Sequence, residues 1–368
     1  MWEEMRGTML PKDRILYALQ VKSSAPSEQP VLPAALLSGG TWAFRQKGLT
    51  LQEVLEKPEL GVSAIIAINQ CIQSDIVWPG SGYHNLLAHI FGGRIKFRPQ
   101  GNIDVIEPAF AKVTEAYRLD LSRIDSHEWI CAIRTIISQV NRQIGNSVLV
   151  GTSGWGPFTL AGQFYGVEKL MSGLYKDKAG IHALLEVMTE VCIAYLAPAI
   201  DRGAGIVSVA EPTASGDLIS LSHFEEFAAP YIKKVNEELK NRGAYTALHI
   251  CGNIKDRVSL APLMGVDVLS VDYKVDLALA QQRLAGQTAL AGNVNPLLLK
   301  DGSAAEVVQA AKQCIQQAGR GANYILMPGC DIPPGVPLAN AVAFLGAGRG
   351  EEDTSRVELS NVKYHRRA

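Results

Sequence analysis

Short apolar runs, each about a strand in length, recur along the chain between stretches whose apolar positions fall three and four apart. Read in order, the runs predict strands at Val31–Ser38, Ser74–Gly80, Ser147–Gly151, Gly205–Ala210, Thr246–Cys251, Val266–Asp272, Gln287–Gly292 and Ala322–Cys330. Helical spacing predicts an amphipathic helix from Pro11 that could plug one end of a barrel, then helices over Leu51–Leu55, Ala64–Cys71, 123–144 and Pro157–Tyr165, the last opened by a proline in its preferred first position. Ser222 and Glu225 read as a capping box for a helix that keeps its apolar face from Phe224 to Leu239, with a kink at Pro230 and a stop at Gly243. Ser303 and Glu306 cap another helix that ends at Gly319, and Pro337–Phe344 is the last. Gly92–Arg98 alternates in polarity and reads as an inserted hairpin, while Ser23–Pro30 reads as a polar linker.

Eight strands alternating with helices predict an α/β fold, a (β/α)8 TIM barrel spanning 11–347, with an N-terminal extension over 1–10 and a polar tail over 348–368. In such barrels the chemistry sits at the C-terminal ends of the strands. Those ends here carry Glu211, His249, Cys251, Asp272 and Cys330, a concentration of acid, imidazole and sulfur on one face.

Composition adds exclusions. A formal net charge of −1 with scattered basic residues gives no footprint for nucleic acid. No uninterrupted apolar run approaches the ~20 residues needed to span a bilayer, and the first residues lack the apolar core of a secretion signal, so a cytoplasmic protein away from membranes is expected. Six cysteines without CxxC spacing are expected to remain reduced, free to act as metal ligands. Composition leaves monomer or homodimer open.

In Leu248-His249-Ile250-Cys251-Gly252, strand geometry turns the imidazole and the thiol toward the same side. Met327-Pro-Gly-Cys330 repeats the pattern of an apolar strand, a turn and a sulfur ligand. Together His249, Cys251 and Cys330 make a zinc donor set with one open position. One imidazole and two thiolates leave zinc formally neutral, which suits holding a substrate thiol as a nucleophilic thiolate better than acidifying water. Asp272 could fill the open position, or serve as a partner of Lys274, and Glu211 could accept a proton or orient substrate. Cys314 falls on the apolar face of its helix and reads as core; His84, His89 and His223 read as structural. Gly346-Ala-Gly-Arg-Gly lacks the strand and helix context of a phosphate loop.

Leu248–Asn253, Gly156-Pro-Phe-Thr-Leu-Ala161, Glu211–Ser220 and Met327–Pro334 resemble the uroporphyrinogen decarboxylase superfamily, and within it the zinc-dependent corrinoid methyltransferases, best known as methylcobamide:coenzyme M methyltransferases. The resemblance, over about 11–347, implies a (β/α)8 barrel with a mouth for a tetrapyrrole-like ring and zinc on His249, Cys251 and Cys330. The family's acidic pair falls at Asp272-Tyr273, where the second acid is missing. The arginine-rich motif by which the decarboxylases hold substrate carboxylates is only partly echoed by Arg45-Gln-Lys-Gly. The implied function is methyl transfer between a corrinoid and a small thiol. The alternatives are demethylation of a methoxy or methylamine compound onto cobalt(I), and a decarboxylase-type lyase. The corrinoid-carrier motif Asp-x-His-x-x-Gly begins at Asp125-Ser-His127 but meets Ile130 where the glycine belongs, so the corrinoid is expected on a separate protein.

Overall fold

A computed structural model describes residues 9–20, 32–36, 40–99, 102–319 and 323–351. Residues 1–8 of the expected extension, the linker 23–30, Ser38 with Gly39, and the tail beyond 351 lie outside these residues.

The strands are β1 (Ile76–Val77), β2 (Arg94–Phe97), β3 (Ile103–Glu107), β4 (Leu149–Trp155), β5 (Ile206–Ala210), β6 (Tyr245–Ile250), β7 (Val268–Val271), β8 (Ala289–Val294) and β9 (Tyr324–Pro328). Seven of them form one parallel sheet in the order β1-β4-β5-β6-β7-β8-β9, with helices on the connections. β2 and β3 make the inserted antiparallel hairpin. The fold is the expected (β/α)8 barrel. Its eighth stave, however, forms no regular strand among the described residues. Ala34 forms a single parallel bridge to Leu326, Ala35 N donates to Leu326 O and Asp75 N donates to Ala34 O, so residues 33–36 close the seam between β9 and β1. The ladder is sparse for a local reason. Pro33 has no N–H, and the amides of Ala34 and Leu36 are taken by the side chains of Asp75 and Ser74.

The interior of the barrel is filled by Ile76, Trp78, Leu149, Ile206, Val268 and Ile325 with small alanines between them. The helix Pro11–Gln20 sets Ile15 and Ala18 against this layer and so plugs the barrel's N-terminal end, as its pattern predicts. Arg14 locks it there through an ion pair with the buried Asp75.

Several boundaries differ from the sequence expectation. The helix expected over 123–144 is two, Ser122–Ser126 and Glu128–Ile144, divided at His127, whose Nδ1 accepts from Trp129 N. The capping box placed at Ser222 is not there. Ser220 caps instead, accepting from His223 N, and Ser222 lies within the helix Leu221–Phe227. The kink at Pro230 is a full break at Ala228, since proline cannot donate to the preceding turn and opens the new helix Ala229–Asn241. Two helices, Val167–Lys176 and Lys178–Ile200, escaped the periodicity reading altogether. The second is long and apolar enough to cross a membrane, yet more than half of its apolar window is buried in the fold, with Leu184, Leu185, Met188 and Cys192 in the core.

Candidate metal centre

The parallel register sets Ala210, His249 and Ser270 side by side at the upper ends of β5, β6 and β7. Cys251 follows one residue beyond β6, and Cys330 two residues beyond β9. Their donor atoms converge. His249 Nε2 lies 2.9 Å from Cys251 Sγ, and the two sulfurs are 3.1 Å apart. All three donor atoms fall within 4.8 Å of one another. His249 is buried, at 6% exposed, whereas both cysteines reach the mouth of the barrel. Cys330 is brought there by a close approach: a Cβ on Gly329 would strike the backbone of Tyr273, so only glycine lets the β9 turn pass this near the end of β7.

The sulfurs share their protons unequally. A hydrogen bond from Cys251, helped by His249, pulls the Cys330 thiol down, while the same bond and burial push Cys251 up. The pair therefore gives up a first proton readily and a second only when a cation arrives to hold it. In a tetrahedral zinc site with Zn–S of about 2.3 Å the sulfurs stand about 3.7 Å apart, so the thiols need only swing outward by about half an ångström. The donor set fits zinc: soft thiolates, one imidazole, and a hydrogen-bond partner, Ser270 Oγ, 3.0 Å from the other ring nitrogen.

The two carboxylates have other tasks. Asp272, expected as a fourth ligand, spends Oδ2 on Gly252 N at 3.0 Å and Oδ1 on Lys274 N at 2.9 Å. It ties the turn that carries Cys251 to the end of β7, and is not among the converging donors. Nor does it pair with Lys274 through the side chain; it is the backbone amide that it holds. Glu211, expected as a proton acceptor at the mouth, is 0% exposed and accepts from Phe158 N at 3.0 Å and Thr159 N at 2.7 Å. It caps the helix Pro157–Tyr165 from beneath, and Gly156 leaves the room for it. Burial nonetheless raises its pKa from 4.5 to about 7, outweighing those hydrogen bonds.

Cys314 is buried on its helix as expected. His223 follows the cap at Ser220, and His89 stacks on Trp129; neither is among the three converging donors. His84 proves less ordinary. Its Nε2 meets Ser153 Oγ at 2.8 Å, its ring abuts Trp155, and burial lowers its pKa to about 4, so a neutral imidazole stands at the upper end of β4. Neither Ser270 nor Ser153 was singled out in the sequence. Ser270 could have been, since it lies two residues before Asp272 on the same face of one strand.

With this fold and centre in view, the comparisons place the chain. The model of the family described as Uroporphyrinogen decarboxylase (URO-D) matches residues 10–350, and the chain belongs to that family. Within it, the chain is 31% identical over 224 residues to the methylcobamide:CoM methyltransferase MtbA of Methanosarcina mazei, a match spanning 61% of this chain and 63% of that protein. It is 30% identical over 220 residues to the corresponding MtaA of Methanosarcina barkeri, covering 59% of this chain and 63% of that protein. The chain thus spans less than two thirds of the length of these methyltransferases. It is also 28% identical over 327 residues to a uroporphyrinogen decarboxylase of Synechococcus, covering 84% of this chain and 88% of that one. A solved methyltransferase structure from Methanosarcina mazei shares the fold at a TM-score of 0.82 and 24% identity, over 93% of this chain and 99% of that one.

Proposed function

We propose that this chain is a zinc-dependent methyltransferase that passes a methyl group between a corrinoid, carried by a separate protein, and a small thiol. The observation that carries the reading is the convergence of His249, Cys251 and Cys330 at the mouth of the barrel. Zinc held there would act as a Lewis acid that keeps a substrate thiol ionised at neutral pH without quenching its nucleophilicity, because two thiolates already offset the ion's charge. Around it the chain's residues position and exclude. Asp272 fixes the turn bearing Cys251, and Ser270 holds the His249 ring. With Asp272 committed to backbone amides, the remaining position is left to the thiol. The side chains of Trp155 and Asn85 are joined by a 2.6 Å hydrogen bond, which ties the loop after β1 to the end of β4 on the same face.

Relatives named as methylcobamide:CoM methyltransferases support methyl transfer, while the longer match to a decarboxylase is accounted for by the shared barrel. Two thiols and an imidazole at the mouth favour thiol chemistry over decarboxylation, which needs cationic groups to grip substrate carboxylates. The test is metal content and methyl transfer together. The wild type should bind about one zinc per chain and demethylate methylcobalamin in the presence of a small thiol. Cys330→Ala should lose both and Cys314→Ala neither. Full zinc retention in Cys330→Ala refutes the site. Zinc uptake without transfer to thiols, or from methoxy and methylamine donors to cobalt(I), refutes the reaction.

A further inference from the structure

The two nitrogens of His249 have different surroundings. Nε2 faces the sulfurs, and Nδ1 faces Ser270 Oγ at 3.0 Å. A neutral imidazole can offer Nε2 to a cation only when Nδ1 carries the proton. Ser270 Oγ must then accept from Nδ1–H, which obliges its own hydroxyl proton to go to another acceptor. Ser270 lines a small cavity inside the barrel, directly under the ligand layer, with room for about one water. Trp78 and Ser208 line the same cavity, and no charged side chain does. Trp78 is 5% exposed, and its indole N–H is buried with no partner among the described residues. A buried N–H in that state costs free energy unless something accepts from it.

We propose that this cavity binds one water, which accepts from Trp78 Nε1–H and from Ser270 Oγ–H and donates to Ser208 Oγ. Ser270, oriented in this way, is the positioning residue that fixes the tautomer of His249 for metal binding. The inference rests on reading His249, Cys251 and Cys330 as a metal centre, and it extends that centre downward through residues that touch no metal. The chain of donors runs from Nδ1–H to Ser270, from Ser270–H and Trp78–H to the water, and from one of the water's two protons to Ser208.

The test is zinc affinity, measured by competition with a chromophoric chelator, and needs no turnover. Ser270→Ala should weaken zinc binding about 10- to 100-fold, the usual effect of removing the partner of a metal-bound histidine. Ser270→Thr, which restores the hydroxyl on the same strand, should recover it. Equal affinity in wild type and Ser270→Ala, or no recovery in Ser270→Thr, overturns the proposal. Should Ser270→Ala fail to fold, the wild type still decides the matter: 15N shifts of zinc-loaded His249 should report the proton on Nδ1, and a crystal structure should show one ordered water against Ser270 and Ser208. A proton on Nε2, or a dry cavity, overturns it. Wild type that takes up no zinc at all refutes the metal centre itself, a result distinct from normal loading with no effect of Ser270.

Discussion

Glu211 makes the stability of this protein depend on pH in an unusual direction. Its carboxylate is wholly buried and receives two backbone amides at the start of the helix Pro157–Tyr165. Amides and the positive end of a helix favour the anion, while desolvation favours the neutral acid. Desolvation wins, raising the pKa from 4.5 to about 7. In the unfolded chain the group ionises near its ordinary value, so between about pH 4.5 and 7 the folded state binds the extra proton. Stability from this group is therefore full at low pH and declines as pH rises through that window, with a difference of about 3 kcal/mol. Urea unfolding of wild type and Glu211→Gln at pH 5 and pH 8 isolates the effect, because every other group cancels in the double difference. The variant should lose stability at pH 5, where its amide N–H₂ opposes one backbone donor, and the gap should narrow by about 2.5 kcal/mol at pH 8. Parallel pH profiles for the two proteins would mean that the amides hold the anion at an ordinary pKa, and the reasoning fails.

Three further outcomes are expected. Asp272→Ala leaves the amides of Gly252 and Lys274 without their acceptor, and should lower unfolding free energy by about 2 kcal/mol and weaken zinc binding measurably in a chelator competition. Gly329→Ala sets a methyl group against the Tyr273 backbone, and should displace Cys330 and empty the zinc site by metal analysis, whereas Gly319→Ala, with open space around it, should keep its metal. Incubation with uroporphyrinogen should give no coproporphyrinogen above background, since Arg45-Gln-Lys-Gly only partly restores the decarboxylases' carboxylate grip; turnover would reverse the choice of reaction.

The barrel and its three converging donors were legible in the chain because both rest on short-range rules. Strand alternation turns His249 and Cys251 to one side, and the strand-end rule for parallel barrels brings Cys330 to the same face. What the sequence hid was the direction of carboxylate lone pairs. Asp272 and Glu211 stand where an acid should serve the chemistry, but backbone amides from elements 20 and 53 residues away in the chain claim them. No local pattern reports these distant partners, although the bond from Lys274 N to Asp272 is a local one, two residues along the chain. The same holds for the Ser220 cap, where two serines two residues apart compete and tertiary packing chooses. Helix Lys178–Ile200 was missed for the opposite reason: it is apolar on nearly every side, so no stripe stands out.

The seam at residues 33–36 has a consequence for the order in which the molecule is made. Ala34 pairs with Leu326 and Pro33 O accepts from Leu326 N, so residues 33–36 have no lasting neighbour on that side until Leu326 has been made. Pairings so far apart in sequence are slow to form, because the intervening chain must first be confined. All three candidate ligands, by contrast, belong to β6 through β9, consecutive strands that complete their own ladders without the seam. The ladder from β6 to β9 thus needs no seam of its own, and a cation held by all three residues would cross-link β6 to β9 independently of the closure at residues 33–36.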